Sequence, residues 1–265
     1  MSTYAFTQGW DKERERLGSA EFLFDSSSTH RLADLGVTEG WQCLEVGFGA
    51  GGVALWLSDQ VGSTGRVVAT DLDPRFLDGH GRANLEVRTH DIAADPLEEA
   101  AFDVVHARLL LEWIPDWQQT LERMISALRP GGWLVLENAD WGGIMTPAVV
   151  RYTDPPEHAA LYERILRASE DSLRATQFDA NFGGRLPRRL IDAGLVNVAG
   201  EAHMPLVAGG TEKFVPGIVE FMADRLVATG LVTISDIESF LALAADPSFR
   251  YAASLLATVW GQRPA

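Results

Sequence analysis

A glycine-rich turn set between two apolar runs strongly limits how this chain can fold. Residues 44–52 read LEVGFGAGG, and a second apolar run over residues 67–70 ends at Asp71. Glycine tolerates positive φ and lets a ligand come close to the backbone. An apolar strand, a glycine turn, a helix and a strand ending in a carboxylate together predict a pocket for an adenosine-bearing cofactor on a parallel sheet.

The glycines of this turn satisfy two patterns at once. Gly47, Gly49 and Gly52 fit the G-x-G-x-x-G of dinucleotide-binding folds, in which a pyrophosphate lies at a helix N-terminus. Glu45 followed by Gly47, Gly49 and Gly51 fits E-x-G-x-G-x-G, which resembles motif I of the class I methyltransferases that use S-adenosylmethionine. The glycines alone leave both interpretations open.

Two later segments favour the methyltransferase resemblance. Residues 102–116, FDVVHARLLLEWIPD, resemble the fourth-strand motif of that family, and residues 128–137, LRPGGWLVLE, resemble its turn from a helix into the fifth strand. The resemblance covers about residues 40–140 and is strongest to the UbiE-like and bacterial natural-product methyltransferases. It implies an α/β fold, with a Rossmann-like, mostly parallel seven-stranded sheet, helices on both faces and a helical lid. It also implies S-adenosyl-L-methionine as the cofactor.

Strand and helix patterns alternate along the chain, as in parallel sheets with right-handed crossovers. The expected divisions are an N-terminal helical lid segment (1–40), an S-adenosylmethionine-binding core (41–145), a helical insertion (146–183), and the C-terminal part of the core (184–265) with a second helical insertion at about 211–246. We predict strand six over residues 196–207 and a final strand over residues 252–260. In the family the last strand lies antiparallel between the fifth and sixth. Ser235 and Glu238 have the spacing of a helix capping box.

Composition restricts the partners. The 265 residues carry a formal net charge of −15, and lysine occurs only at Lys12 and Lys213. Phosphate binding needs clustered basic residues, which argues against nucleic acid and anionic membranes. The apolar runs are too short for a membrane span, no secretory signal pattern is present, and the single Cys43 excludes an internal disulfide. We expect a cytoplasmic monomer or homodimer that acts on a small molecule without a metal.

The resemblance assigns cofactor contacts to residues at the strand ends. Asp71 is expected to accept hydrogen bonds from the ribose hydroxyls, with Leu72 against the adenine. Asp91 resembles the acidic residue that accepts from the adenine amino group, and the backbone of Ile92 lies beside it. Glu45 is expected to meet loop N–H groups or the cofactor ammonium, because an unpaired buried charge is costly. The alternatives are that Asp71 caps the following turn and that Asp91 is an ordinary loop carboxylate.

Catalytic residues are harder to assign, because methyl transfer from a sulfonium requires mainly alignment, exclusion of water and sometimes a base. His106 is expected to face the cofactor and is a candidate base, with plain packing against the cofactor as the alternative. Asp140, after strand five, is the other catalytic candidate. Glu112 fits the Leu-Glu-His pattern of the family, but Trp113 stands where histidine is common. The candidate substrate contacts are Trp10, Arg108 and Trp141.

The implied activity is transfer of a methyl group from S-adenosylmethionine to a small organic molecule, with oxygen as the preferred acceptor and nitrogen or carbon as alternatives. One rival keeps the fold and the cofactor but transfers no methyl group, as a cyclase or a binding module would. The other rival is an NAD(P)-dependent oxidoreductase. It leaves the Arg-Pro-Gly-Gly sequence at residues 129–132 unexplained, and the chain has no Tyr-x-x-x-Lys pair.

Overall fold

The apolar runs form strands and the intervening amphipathic segments form helices in a computed structural model, which describes residues 12–174, 176 and 178–265. The strands are β1 (Gln42–Val46), β2 (Arg66–Asp71), β3 (Leu85–Thr89), β4 (Phe102–Arg108), β5 (Leu128–Ala139), β6 (Val196–His203), β7 (Leu206–Ala208), β8 (Arg250–Ala252) and β9 (Leu256–Gln262). The helices are α1 (Glu13–Asp34), α2 (Gly52–Val61), α3 (Trp117–Ala127), α4 (Thr146–Val150), α5 (Ala159–Arg174), α6 (Phe182–Asp192), α7 (Phe214–Phe221), α8 (Ala223–Ala228) and α9 (Ile234–Ala245).

Seven strands form one sheet in the order β3-β2-β1-β4-β5-β9-β6. The pairs among β1 to β5 are parallel, whereas β9 is antiparallel to both β5 and β6. This confirms the Rossmann-like sheet and the predicted place of the last strand. Because the chain moves outward from β1 first to β2 and later to β4, a crevice opens at the carboxyl ends of these strands, which is where open α/β sheets bind ligands.

Helices cover both faces of the sheet because successive side chains of a strand point to opposite sides. On β1, Cys43 joins an apolar cluster with residues of α2 and the end of α1. Leu44 joins a second cluster with residues of α3 and α6. The core of the sheet is therefore buried from both sides.

A third apolar cluster lies among the remaining helices. It contains Phe24 of α1 together with buried side chains of α4, α5, α7, α8 and α9. The two predicted helical insertions therefore pack against each other and against the first helix. We call this group of six helices the helical lid. In the part of the chain that the structure describes, no helix is both long and apolar enough to cross a bilayer.

Three predicted boundaries are wrong. The final strand, predicted over residues 252–260, runs from Leu256 to Gln262, and Ala252 instead ends β8. The other two differ for local reasons. The segment predicted as strand six is interrupted at Pro205, which has no N–H for a ladder hydrogen bond, so β6 ends at His203 and β7 pairs with β8 in a separate two-stranded sheet. The capping box of α9 is formed by Thr233 and Asp236, not by Ser235 and Glu238. Both pairs have the required spacing, and the spacing alone does not distinguish them.

Candidate active site

A cavity of about 520 Å³ lies between the carboxyl ends of the parallel strands and the helical lid. Residues that follow β1, β2, β3 and β4 line one side of it, and side chains of α1, α5 and α7 line the other. This is the crevice that the strand order creates. Nearly all of the residues predicted to bind the cofactor lie around one part of this cavity.

The glycine turn after β1 brings the backbone to the cavity surface. Gly47, Gly49 and Gly51 have φ values of +70°, +60° and +102°, which glycine adopts without strain. Gly47 and Gly49 line the cavity, whereas Gly51 lies behind them as the N-cap residue of α2. The turn is fixed by a hydrogen bond from the Gly47 N–H to the Thr70 carbonyl, at 2.7 Å.

Asp71 lines the cavity at the end of β2, as the sequence predicts for a ribose-binding carboxylate. Its two oxygens accept from the backbone N–H groups of Gly49 and Asp73, each at 3.0 Å. Burial raises the pKa of Asp71 against the opposing effect of these hydrogen bonds. Asp73, not Asp71, caps the short 3₁₀ turn that follows. A carboxylate can accept about four hydrogen bonds, so Asp71 retains acceptor capacity toward the cavity.

The loop after β3 lines the same part of the cavity. Asp91 accepts from the Ala93 N–H at 2.9 Å, and Arg123 of α3 donates to the Ile92 carbonyl at 3.2 Å. Leu72, which is 44% exposed, also lines the cavity. We call this part the carboxylate end of the cavity; its residues are Glu45, Gly47, Gly49, Asp71, Leu72, Asp91 and Ile92.

His106 does not line the cavity, which corrects the expectation that it faces the cofactor. Its ring is completely buried, and Nδ1 lies 2.6 Å from Oε2 of Glu45 on the neighbouring strand. Burial opposes the charge of the imidazolium, but Glu45 and Glu137 outweigh this effect and raise the pKa of His106 to about 9. A histidine that already holds its proton at neutral pH is not a general base.

Asp140 also lies outside the cavity, although its neighbours Ala139 and Trp141 line it. Its carboxylate is turned toward the first turn of α6, where the Gly184 backbone N–H acts as a donor. A Cβ placed on Gly184 would lie 2.9 Å from an Asp140 oxygen. Asp140 therefore stabilises a helix N-terminus and has no contact with the cavity.

The far part of the cavity is apolar. Phe178 packs against Trp113 and Trp141, with ring centroids 4.4 and 6.2 Å apart. Aliphatic and aromatic side chains of the helical lid complete this region, which we call the apolar chamber: Trp113, Trp141, Val149, Ile165, Leu173, Phe178, Phe214 and Val219. Trp141 thus lies where a substrate contact was predicted.

The other two predicted substrate contacts differ from Trp141. Arg108 lines the cavity, but its guanidinium donates to Ser28 Oγ at 2.9 Å and to Asp25 Oδ1 at 2.7 Å. Its charge is therefore used to attach α1 to the sheet. Trp10 lies outside the described residues.

Three buried charged residues of the cavity wall received no role from the sequence. Glu112 is buried and accepts from Asn138 Nδ2 and from the Ala139 N–H. Burial outweighs these hydrogen bonds and raises the pKa of Glu112 to about 7. Glu13 and Arg16, one turn apart on α1, form a bidentate ion pair at 2.7 and 2.9 Å. The Leu-Glu-His pattern drew attention to Glu112, but no sequence signal showed its burial.

Residues 44–136 match the family model described as "Methyltransferase domain". A methyltransferase named str2 from Strobilurus tenacellus is 34% identical over 128 residues, which are 47% of this chain and 43% of that protein. A demethylmenaquinone methyltransferase from Staphylococcus aureus is 33% identical over 109 residues, 39% of this chain and 45% of that protein. The matched segments thus span less than half the length of these curated relatives.

The structural similarity to known methyltransferase structures covers more of the chain than the sequence matches do. The crystal structure of a putative methyltransferase from Bacillus halodurans superposes with a TM-score of 0.57, covering 90% of this chain and 100% of that one at 16% identity. The core strands thus carry a methyltransferase-domain sequence on the sheet order that the resemblance implied, and both findings support the resemblance to the class I S-adenosylmethionine-dependent methyltransferases.

Proposed function

We propose that this protein transfers the methyl group of S-adenosylmethionine to a hydroxyl group of a small, largely apolar and aromatic molecule. The observation that carries the proposal is the division of one continuous cavity into a carboxylate end and an apolar chamber. The carboxylate end provides hydrogen-bond acceptors for a polar nucleoside. The apolar chamber is lined by Trp113, Trp141 and Phe178, which suit an aromatic ring.

The residues of the carboxylate end fit the cofactor. We assign the ribose hydroxyls to Asp71, the adenine to Asp91, Leu72 and the Ile92 backbone, and the ammonium to Glu45. Gly47 and Gly49 leave room for the ligand because they have no side chain. A Cβ on Gly47 would already lie 3.3 Å from the Leu110 side chain. When bound, the cofactor supplies a methyl group activated by a positively charged sulfur.

Glu112 is our candidate for the base that takes the proton of the acceptor hydroxyl. It lines the cavity next to Trp113 of the apolar chamber. In the step we propose, the hydroxyl proton moves to a Glu112 carboxylate oxygen as the acceptor oxygen bonds to the methyl carbon and the sulfur–carbon bond breaks. A carboxyl group with a pKa near neutrality suits general-base catalysis at neutral pH. Lid side chains over the chamber exclude water from this step.

The activity is tested by incubating the protein with methyl-labelled S-adenosylmethionine and a panel of phenols and 1,4-naphthalenediols, followed by mass spectrometry. We expect one labelled methyl group on oxygen, formed together with S-adenosylhomocysteine. A rearranged product of unchanged mass would support the cyclase alternative. Stabilisation by NADH and not by S-adenosylhomocysteine in a thermal shift assay would support the oxidoreductase alternative.

The role of Glu112 is tested on the best acceptor of that panel. We expect Glu112→Gln to lower kcat by about a hundredfold or more, because general bases contribute roughly this much. Wild-type kcat should rise with pH through about 7, since the ionised carboxylate is the active form, and the variant should lack this rise. Asp179 is the neighbouring carboxylate whose negative charge also raises the pKa of Glu112. It forms an ion pair with Arg185 at 2.7 Å.

Glu21→Gln is the matched control, because Glu21 also lines the cavity but accepts from the Gly52 N–H at the start of α2. It should retain the wild-type pH dependence. A Glu112→Gln variant with unchanged kcat and the same pH profile would rule out Glu112 as the base.

A further inference from the structure

We propose that His106 is a positioning residue for the cofactor: as a buried cation beneath the cavity floor, it fixes the Glu45 carboxylate in the orientation that receives the cofactor ammonium. The inference rests on the assignment of the ammonium to Glu45 under the proposed function. It gives a role to a fully buried titratable group that the methyl-transfer step does not use.

The sheet register sets the geometry of this pair. Glu45 of β1 lies directly opposite His106 of β4, so both side chains project from the same face of the sheet. Nδ1 of His106 lies 2.6 Å from Glu45 Oε2, and Nε2 lies 3.5 Å from Glu137 Oε2 on the other side. Glu45 lines the cavity and His106 does not. His106 therefore has no direct contact with a ligand in the cavity, and Glu45 is its hydrogen-bonded neighbour at the cavity wall.

Two carboxylates on opposite sides of one ring are satisfied only by an imidazolium, because a neutral imidazole has a single N–H donor. Nε2 is buried and makes no hydrogen bond among the described residues, so a proton on it finds its acceptor in Glu137. Glu137 is held in place by Ser28 Oγ at 2.5 Å and by Thr258 Oγ1 at 2.9 Å.

The charges around the pair support the same protonation state. Burial would favour the acid form of Glu137, but the positive charge of His106, together with that of Arg108, lowers the pKa of Glu137. Burial raises the pKa of Glu45, and the adjoining imidazolium opposes this rise. Without the imidazolium, Glu45 would lose both the hydrogen bond that orients it and a charge that opposes the rise of its pKa.

Two ligands isolate the effect on the ammonium site. S-adenosylhomocysteine carries the aminoacyl group, whereas 5′-methylthioadenosine has the same nucleoside without it. We expect His106→Gln and Glu45→Gln each to weaken S-adenosylhomocysteine about tenfold or more in calorimetry, since a charge-assisted contact is lost. Both variants should bind 5′-methylthioadenosine within about twofold of wild type. The double variant should be no weaker than Glu45→Gln alone, because residues acting through one contact are not additive.

Thr258→Val is the matched control for a merely structural role. It removes a donor to Glu137 within the same buried network but leaves the Glu45–His106 contact in place. This variant should lose stability and keep its affinity for S-adenosylhomocysteine.

The outcomes separate this inference from the proposed function. His106→Gln with wild-type affinity for S-adenosylhomocysteine, or with equal losses for both ligands, would overturn the inference. The inference would also be overturned if the double variant bound S-adenosylhomocysteine more weakly than Glu45→Gln alone by the full loss seen for His106→Gln. If Glu45→Gln leaves S-adenosylhomocysteine binding unchanged, the ammonium assignment fails. If wild type binds neither ligand, the proposed function fails.

A measurement on the wild-type protein covers the case in which His106→Gln does not fold. Long-range ¹H–¹⁵N spectra distinguish imidazolium from neutral imidazole, and His106 can be assigned by replacing the other five histidines in turn. We expect His106 to be an imidazolium at pH 7 and to lose its proton near pH 9. A neutral ring at pH 7 would overturn the inference.

Discussion

Gly51 has a φ of +102° at the start of α2, and its α-carbon faces the side chain of Leu77. A Cβ at this position would overlap two Leu77 carbons, and the backbone conformation is one that other residues rarely adopt. Position 51 therefore requires glycine because of its packing behind the cavity. Gly47 and Gly49, in contrast, lie at the cavity surface itself.

We expect Gly51→Ala to lower the free energy of unfolding by about 3 kcal/mol, as the sum of a positive-φ penalty and overpacking. Gly230→Ala is the control, because Gly230 has a φ of +74° with open space around it. It should cost about 1 kcal/mol, from the backbone conformation alone. Urea unfolding of both variants measures the difference. Equal losses would show that Leu77 moves aside at no cost.

Single residues were predictable where a motif fixes the backbone. Asp71 follows a strand within a glycine-turn pattern, and it lines the cavity as predicted. Asp140 was misplaced because the chain leaves β5 there, and which way a side chain turns after a strand depends on the helix packed beside it. His106 was misplaced because the sequence placed it near the end of β4 and did not show that Glu45 and Glu137 enclose it.

At the scale of elements, α1 links the sheet to the cavity. Its C-terminal half is attached to the sheet through Ser28 and Glu137, and through Arg31, whose guanidinium lies 4.1 Å from the Trp260 ring centroid. Its N-terminal half contributes Glu13 and Arg16 to the cavity wall. The helix that forms part of the lid is thus anchored to the same buried network that includes His106.

We expect Ser28→Ala to lower the free energy of unfolding by about 1–3 kcal/mol, because it removes a donor from the fully buried Glu137 carboxylate. Ser27→Ala is the matched control, since the Ser27 hydroxyl donates to the Phe24 carbonyl of its own helix. It should change stability by less than about 0.5 kcal/mol. Denaturant unfolding compares the two variants. Equal effects would mean that the Ser28–Glu137 contact does not attach α1 to the sheet.

Elements with a clear hydrophobic pattern could be predicted from the sequence, and elements with a weaker pattern could not. Most strands of the parallel core were recognisable because they are apolar runs between turn residues, whereas β3 was recognisable by its alternation. The long segment over residues 196–207 was taken as one strand because its apolar residues continue past Pro205. The two insertions could be recognised as helical, but their packing against each other depends on contacts between distant parts of the chain, such as that of Phe24 with Phe214.

At the scale of the whole molecule, the position of the cavity follows from the order of the strands. Parallel strands end at one edge, the order reverses at β1, and the ligand site lies where the neighbouring loops diverge. The sequence therefore predicted where the residues of the carboxylate end lie, and their role as cofactor ligands stays a prediction. The apolar chamber was only partly predictable, because Trp141 was a named candidate whereas Phe178 and the lid residues come from three separate segments.

We infer that the carboxylate end of this cavity holds the adenosyl group of S-adenosylmethionine through Asp71. Calorimetric titration of S-adenosylhomocysteine into wild type, Asp71→Ala and the control Asp78→Ala measures this contact. We expect tight binding to wild type and the control, and an affinity lower by about a hundredfold for Asp71→Ala, since two hydrogen bonds to a carboxylate are lost. A folded Asp71→Ala variant that binds within about twofold of wild type would show that Asp71 does not hold the adenosyl group.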